Sequence, residues 1–178
     1  IRQSLVGSEM CIRDRYEDLV EADTAVAADW IALGNLRYGL AHYQQALSSF
    51  ERAKATGGLD NPSRILRAMS ATYIDKPKLA LSWLNEDRDV LQHLGGYHLA
   101  LARTYVALSQ PDEAIVSYRK ASVLEPQNPI PESEAGAVYE AIGFKDRATK
   151  AYFRALKRNG EHHPTLIRLG SILVSQGK

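Results

Sequence analysis

Few places in the 178-residue chain carry side chains whose types and spacing could do chemistry. Glu161-His162-His163 sets a carboxylate beside two imidazoles, donor types that a zinc ion accepts. No further ligands follow at suitable spacing, so the plainer reading is a solvated connector and no metal site. His42, His93 and His98 are isolated and are expected on helix surfaces. Gly57-Gly58 and Gly95-Gly96 would need a preceding strand to cradle phosphate, and they read instead as breaks between helices. No Gly-x-Ser-x-Gly elbow occurs. Pro62 disqualifies Asn61-Pro62-Ser63 as a glycosylation acceptor. A single cysteine, Cys11, excludes a disulfide within the chain. The chain is therefore expected to be non-catalytic and to use no cofactor.

Composition narrows the partners. Lys and Arg total 22 against 21 Asp and Glu, a net charge of +1. Such a balance makes no case for nucleic acid as a partner. Hydrophobic residues are 45% and charged residues 24%, the profile of a folded chain. No apolar run approaches the roughly 18 residues of a membrane span, so no membrane insertion is expected. Nothing here indicates a compartment.

The elements that would position a site repeat. Ala46, Ala80, Ala114 and Ala148 recur at a fixed period of about 34 residues. Each is followed one helical turn on by a large apolar side chain, Phe50, Leu84, Tyr118 or Tyr152. Gly34, Ala68, Ala102, Gly136 and Gly170 keep the same period. Ala53, Ala121 and Ala155 continue it, whereas Asp87 breaks it in the second unit. Two short helices per unit cannot stand alone, so neighbouring units must stack to share a core. Small residues mark where helices cross closely; Gly34 is expected to face the contact near Ala46. The aromatics are expected to fill gaps between pairs, and Trp30 and Trp83 are read as core.

These motifs resemble the tetratricopeptide repeat family. Trp30, Leu33-Gly34, Ala46, Phe50 and Ala53 follow its pattern, with Arg37 where the family has Tyr. Ala102, Tyr105, Ala114, Tyr118, Ala121 and Pro126 form a second match, and Gly136, Tyr139, Ala148, Tyr152 and Ala155 a third. The resemblance implies an all-α fold, an α-solenoid of stacked antiparallel helix pairs in a right-handed superhelix. It places repeats at 27–60, 61–94, 95–128 and 129–162, with 163–178 as the first helix of a truncated fifth. The 61–94 repeat is irregular, because Arg64 and Arg67 fall where apolar residues normally pack. Either its first helix is rotated, or it slides by two residues and shortens the turn near Asp75-Lys76-Pro77. Leu166, Leu169 and Leu173 on the last helix are expected to be exposed.

The start of the chain reads differently. Leu5 to Asp14 resemble one reading frame of the transposase adaptor used in DNA sequencing libraries, and Arg15 fits as well. Residues 1–15 are accordingly expected to be adaptor-derived, disordered or an uncommitted helix, and 16–26 the remnant of a preceding repeat. Without residues 1–15 the chain has 19 basic and 19 acidic residues and no cysteine.

By analogy with the family, the first helix of each repeat lines a concave groove. Its residues would be Ile31, Asn35 and Tyr38, then Ile65, Met69 and Tyr73, then Leu99, Arg103 and Val106, then Ser133, Ala137 and Glu140. The lining is mostly apolar and suits a peptide or helix with hydrophobic anchors. Relatives that grip the acidic tail of heat-shock chaperones use Lys, Asn and Arg, and only Asn35 and Arg103 could join such a set. The expected function is a protein-interaction scaffold. Its rivals are the docking or regulatory portion of a larger enzyme, such as a transferase, and a structural assembly factor.

Overall fold

The computed structural model describes residues 25–175. The adaptor-like stretch (1–15) and most of the expected repeat remnant (16–24) lie outside the described residues. Within them the chain is all-α. Helices α1 (Ala27–Gly39), α2 (Tyr43–Thr56), α3 (Asn61–Tyr73), α4 (Pro77–Glu86) and α5 (Arg88–Leu91) come first. Then follow α6 (Gly95–Ala107), α7 (Pro111–Leu124), α8 (Ile130–Ala141), α9 (Lys145–Arg158) and α10 (His163–Ser175). The structure divides into two units, residues 1–83 and 84–178. In the first, α1 and α2 form a hairpin and α3 lies against both. In the second, α6 pairs with α7 and α8 with α9, α7 touches α8, and α10 lies against α9 and α8.

The turns within pairs share one device. Ala41, Asp75, Ser109 and Gly143 each take a positive φ, at 60°, 60°, 58° and 84°. The next residue's N–H reaches back to close the helix: His42 to the Arg37 carbonyl (2.8 Å), Lys76 to Ala71 (2.9 Å), Gln110 to Tyr105 (2.9 Å) and Phe144 to Tyr139 (2.8 Å). A left-handed residue after the last helical turn is what reverses the chain so tightly. Starts are marked as well. The Asp60 carboxylate accepts from Ser63 N–H at 2.8 Å, and Pro111 opens α7.

Small residues admit rings. A Cβ on Gly34 would stand 2.6 Å from Phe50 Cε1, and one on Gly136 would stand 2.5 Å from Tyr152 Cε1. The sequence points to the contact near Ala46 as what Gly34 faces. The Phe50 ring, one turn after Ala46 on the same helix, is what a side chain at Gly34 would meet. Trp30 is buried, with Leu33 and Ala53 beside it.

Neither expectation for the irregular repeat holds. Helix α3 keeps its place, one full period after α1 at both ends, and the turn before α4 is as long as the turn before α2. Arg67 therefore stays at the register of Leu33 and Leu101 and is buried at 2% exposure. Its guanidinium lies 4.1 Å from the centre of the Trp83 ring, and the Glu51 carboxylate is 3.8 Å from its Nε. A desolvated cation is tolerable where a ring face and an anion meet it. The irregularity emerges further on. Where Ala53, Ala121 and Ala155 are fully buried, Asp87 stands, and α4 ends at Glu86 with short α5 following. A carboxylate costs too much in a notch that takes a methyl group.

The last helix corrects a further expectation. Leu166 is exposed, but Leu169 is 5% exposed and packs with Ile172 against Ala148 and Tyr152, with Leu173 half-buried alongside. Leu169 stands at the register of Leu33 and Leu101, which turns inward. The outward apolar residues of α10 are Leu166, Ile167 and Val174.

Candidate protein-binding groove

In the first unit, α1 and α3 carry the expected lining. Ile31 is half-buried against the Trp30 and Leu33 cluster, and Asn35 is exposed. Tyr38, also half-buried, meets Tyr43 edge-on at 5.4 Å and Tyr73 at 6.3 Å, while Tyr43 and Tyr73 lie 4.5 Å apart. The Tyr38 hydroxyl points to the Met69 sulfur at 3.9 Å. Ile65 and Met69 depart from an open lining. They are buried at 9% and 4% exposure, and in the case of Met69 the Tyr38 ring end closes over the side chain. Helix α3 thus presents Tyr73 outward, at 42% exposure.

In the second unit the lining is more open. Leu99 packs against the cluster of Ala102, Ala114 and Tyr118, and Val106 is exposed. Arg103 is engaged within the unit. It donates from Nε to Glu134 Oε2 at 2.9 Å and from Nη2 to Oε1 at 2.6 Å, and the Tyr118 hydroxyl donates to Oε2 at 3.0 Å. A bidentate pair of this kind holds α6, α7 and α8 in fixed order. It also occupies the guanidinium that a chaperone-tail clamp would need. Beside it lies a pocket of about 440 Å³, lined by Val106, Pro111, Tyr118, Glu134, Ala137 and Ala141 among others. The size falls within the roughly 300–1,000 Å³ of small-ligand clefts. Ser133 and Glu140, also expected in the lining, serve packing. Ser133 Oγ accepts from Thr165 at 2.7 Å, and Glu140 accepts from the buried Tyr152 hydroxyl at 2.8 Å. Burial first, then the Glu140 carboxylate, pushes the Tyr152 phenol well above its usual range.

Residues 96–128, spanning α6 and α7, match the family model described as tetratricopeptide repeat. The chain has a tetratricopeptide-repeat fold. Solved tetratricopeptide structures resemble nearly all of it. A thermophilic protein of this kind from Thermus thermophilus, TTC0263, superposes with a TM-score of 0.79 at 18% identity over 97% of this chain and 94% of its own. One from Parabacteroides merdae gives 0.82 at 14% identity, over 98% of this chain and 68% of its own. YrrB, described as having an unusual peptide-binding site, gives 0.69 at 19% identity over 93% and 85%. No curated protein matches the sequence. The matched tetratricopeptide repeat contributes Val106, Pro111 and Tyr118 to the pocket.

The sequence does not mark the pocket residues on α8 and at the start of α7 as a set. In it Pro111 reads as a helix start and Tyr118 as core, while Glu134 and Ala141 do not stand out. The available signal is the register itself, since Val106 and Ala137 both fall in the expected lining. The Glu161-His162-His163 segment is absorbed structurally. Thr165 Oγ1 gives its proton to Ser133, so His162 Nδ1–H donates to Thr165 Oγ1 at 2.6 Å and holds the start of α10. Among the described residues no three His, Cys, Asp or Glu side chains gather as metal ligands would. No described helix is long and apolar enough to cross a membrane.

Proposed function

We propose that this chain is a non-catalytic scaffold that binds a peptide or helix of a partner protein along the first-helix faces of its repeats. The observation that carries this reading is the apolar pocket between α6, α7 and α8, open beside the exposed Val106 and walled by Ala137 and Ala141. Apolar walls with one carboxylate at the side are the profile of a site that takes a hydrophobic anchor and orients it by one polar contact. The fold supports the reading by analogy, and the peptide-binding site described for YrrB is a property of that protein. The binding residues assigned are Ile31, Asn35 and Tyr38 in the first unit and Leu99, Arg103 and Val106 in the second. Ile65 and Met69, both buried, pack in α3, and Met69 lies under the Tyr38 ring end.

The test is selection of a random peptide display library on the 178-residue chain. Enriched peptides should lose binding to Val106→Arg and Ala137→Arg and keep it for Lys157→Ala, with matched circular dichroism. Peptides that bind all three variants equally, or failure to enrich any, would overturn the reading.

A further inference from the structure

We infer that the pocket beside Val106 takes an aromatic side chain of the partner, tyrosine or tryptophan. This rests on the groove reading above and adds the chemistry of its occupant.

The argument comes from comparing the two units with each other. Helices α1 and α2 run from Ala27 to Gly39 and Tyr43 to Thr56; two periods later α6 and α7 run from Gly95 to Ala107 and Pro111 to Leu124. Helix α3 ends at Tyr73 and α8 at Ala141, again two periods apart. The left-handed turn residue recurs as well, Ala41 in one and Ser109 in the other. The two three-helix arrays therefore share their helix bounds and turns, although α3 lies against α1 while α8 makes little backbone contact with α6.

Among the places where their fillings differ, one stands beside the pocket. Tyr38, Tyr43 and Tyr73 converge in the first array, with ring centres 4.5–6.3 Å apart. Their counterparts by register are Val106, Pro111 and Ala141, and all three line the pocket. Met69, which meets the Tyr38 hydroxyl, corresponds to Ala137, another wall residue. The pocket is thus the space that the chain's own tyrosine rings fill in the first array. What fits there is flat and aromatic, because this frame already holds such rings at offset and edge-on distances.

The polar wall selects among aromatics. Glu134 is the charged residue lining the pocket, and its carboxylate already accepts from Arg103 and from the Tyr118 hydroxyl. A carboxylate beside an apolar wall complements a ring that carries a proton donor, a phenol O–H or an indole N–H. It opposes an acidic anchor.

The experiment uses the 178-residue chain with labelled methyl groups, followed by nuclear magnetic resonance. The probes are p-cresol and 3-methylindole, the side chains of tyrosine and tryptophan, with 3-methyl-1-butanol as an aliphatic control. The aromatic probes should shift the methyls of Val106, Ala137 and Ala141 saturably and bind about 2- to 10-fold more tightly than the control. Val106→Tyr, which restores one ring of the first array, should abolish the shift. The triple variant Val106→Tyr, Pro111→Tyr, Ala141→Tyr should do so completely; the single variant decides the matter if the triple does not fold. Equal binding of all three probes, binding indifferent to Val106→Tyr, or no shift at these methyls overturns the aromatic assignment. The peptide selection decides the groove separately: groove-dependent peptides lacking aromatic residues would sink this inference alone.

Discussion

The guanidinium of Arg67 lies over the ring of Trp83, 4.1 Å from its centre, inside the first unit. This contact explains how a charged residue holds a position that Leu33 and Leu101 occupy elsewhere. Desolvated cation–ring pairs are worth about 2 kcal/mol. Trp83→Ala should therefore destabilise the chain by more than its lost apolar contact, about 3–5 kcal/mol. Arg67→Leu should be neutral or stabilising, since an apolar residue of matching size often replaces a buried charge without loss. Urea denaturation of both single variants and the double variant measures the coupling. A coupling near zero would mean that the ring face contributes nothing to Arg67.

The glycine notches give a second expectation. Alanine is the better helix former by about 1 kcal/mol, so Gly34→Ala and Gly136→Ala would stabilise if propensity ruled. Their methyl groups would stand 2.6 Å from Phe50 and 2.5 Å from Tyr152, both fully buried rings. Overpacking of this kind costs about 1–3 kcal/mol, and both variants should lower the thermal midpoint. Gly170→Ala is the control, because a Cβ there meets nothing within 4 Å. It should raise the midpoint.

A third expectation concerns the turn at Ala41. Its φ of 60° is strained for any residue with a Cβ, and its side chain is exposed. Gly143 holds the equivalent place at φ 84° without that strain. Ala41→Gly should stabilise by about 0.5–1 kcal/mol despite glycine's entropy in the unfolded chain. A loss of stability in chemical denaturation would refute this account of the turn.

Acid should act through His98. Its Nε2–H donates to the Gln92 carbonyl at 2.8 Å, and burial lowers its pKa below the usual 6.5, with Lys120 adding to the effect. A histidine depressed in the folded state contributes stability that is present above pH 6.5 and lost as the pH falls through the folded value. Arg88, Lys120, Asp112 and Glu113 line the same cavity, so the protonated ring meets charges of both signs. The unfolding midpoint should fall between about pH 7 and pH 5, the range in which histidine titrates. His98→Gln should flatten that fall. An unchanged pH profile in the variant would assign it to other groups.

The period is legible in the sequence because it rests on sterics. A glycine opposite an aromatic and an alanine at a helix crossing are the same requirement met again, so Gly34, Gly136, Ala46 and Ala148 announce the helix pairs. The burial of Arg67 is not legible, since its neutral partner in the packing, Trp83, stands on the following helix and only folding brings the two together. Asp87 shows as a break, but that it ends α4 and starts a short helix follows from the cost of burying a carboxylate in three dimensions. Reading the groove helix by helix misses the pocket. Its walls come from three helices, and Glu134 and Ala141 acquire meaning only when set beside Arg103 and Val106.

The match between the two three-helix arrays also separates two kinds of residue. Gly34 with Phe50 in one array and Ala102 with Tyr118 in the other set a small residue beside a ring, and that pairing governs how closely the helices approach. Tyr38, Tyr43 and Tyr73 in one array and Val106, Pro111 and Ala141 in the other stand at the same register, which carries rings in one and smaller side chains in the other. Recognition in such a chain can drift at a handful of positions while the architecture stands still, so a new partner is reached by changing upholstery and leaving the joints alone.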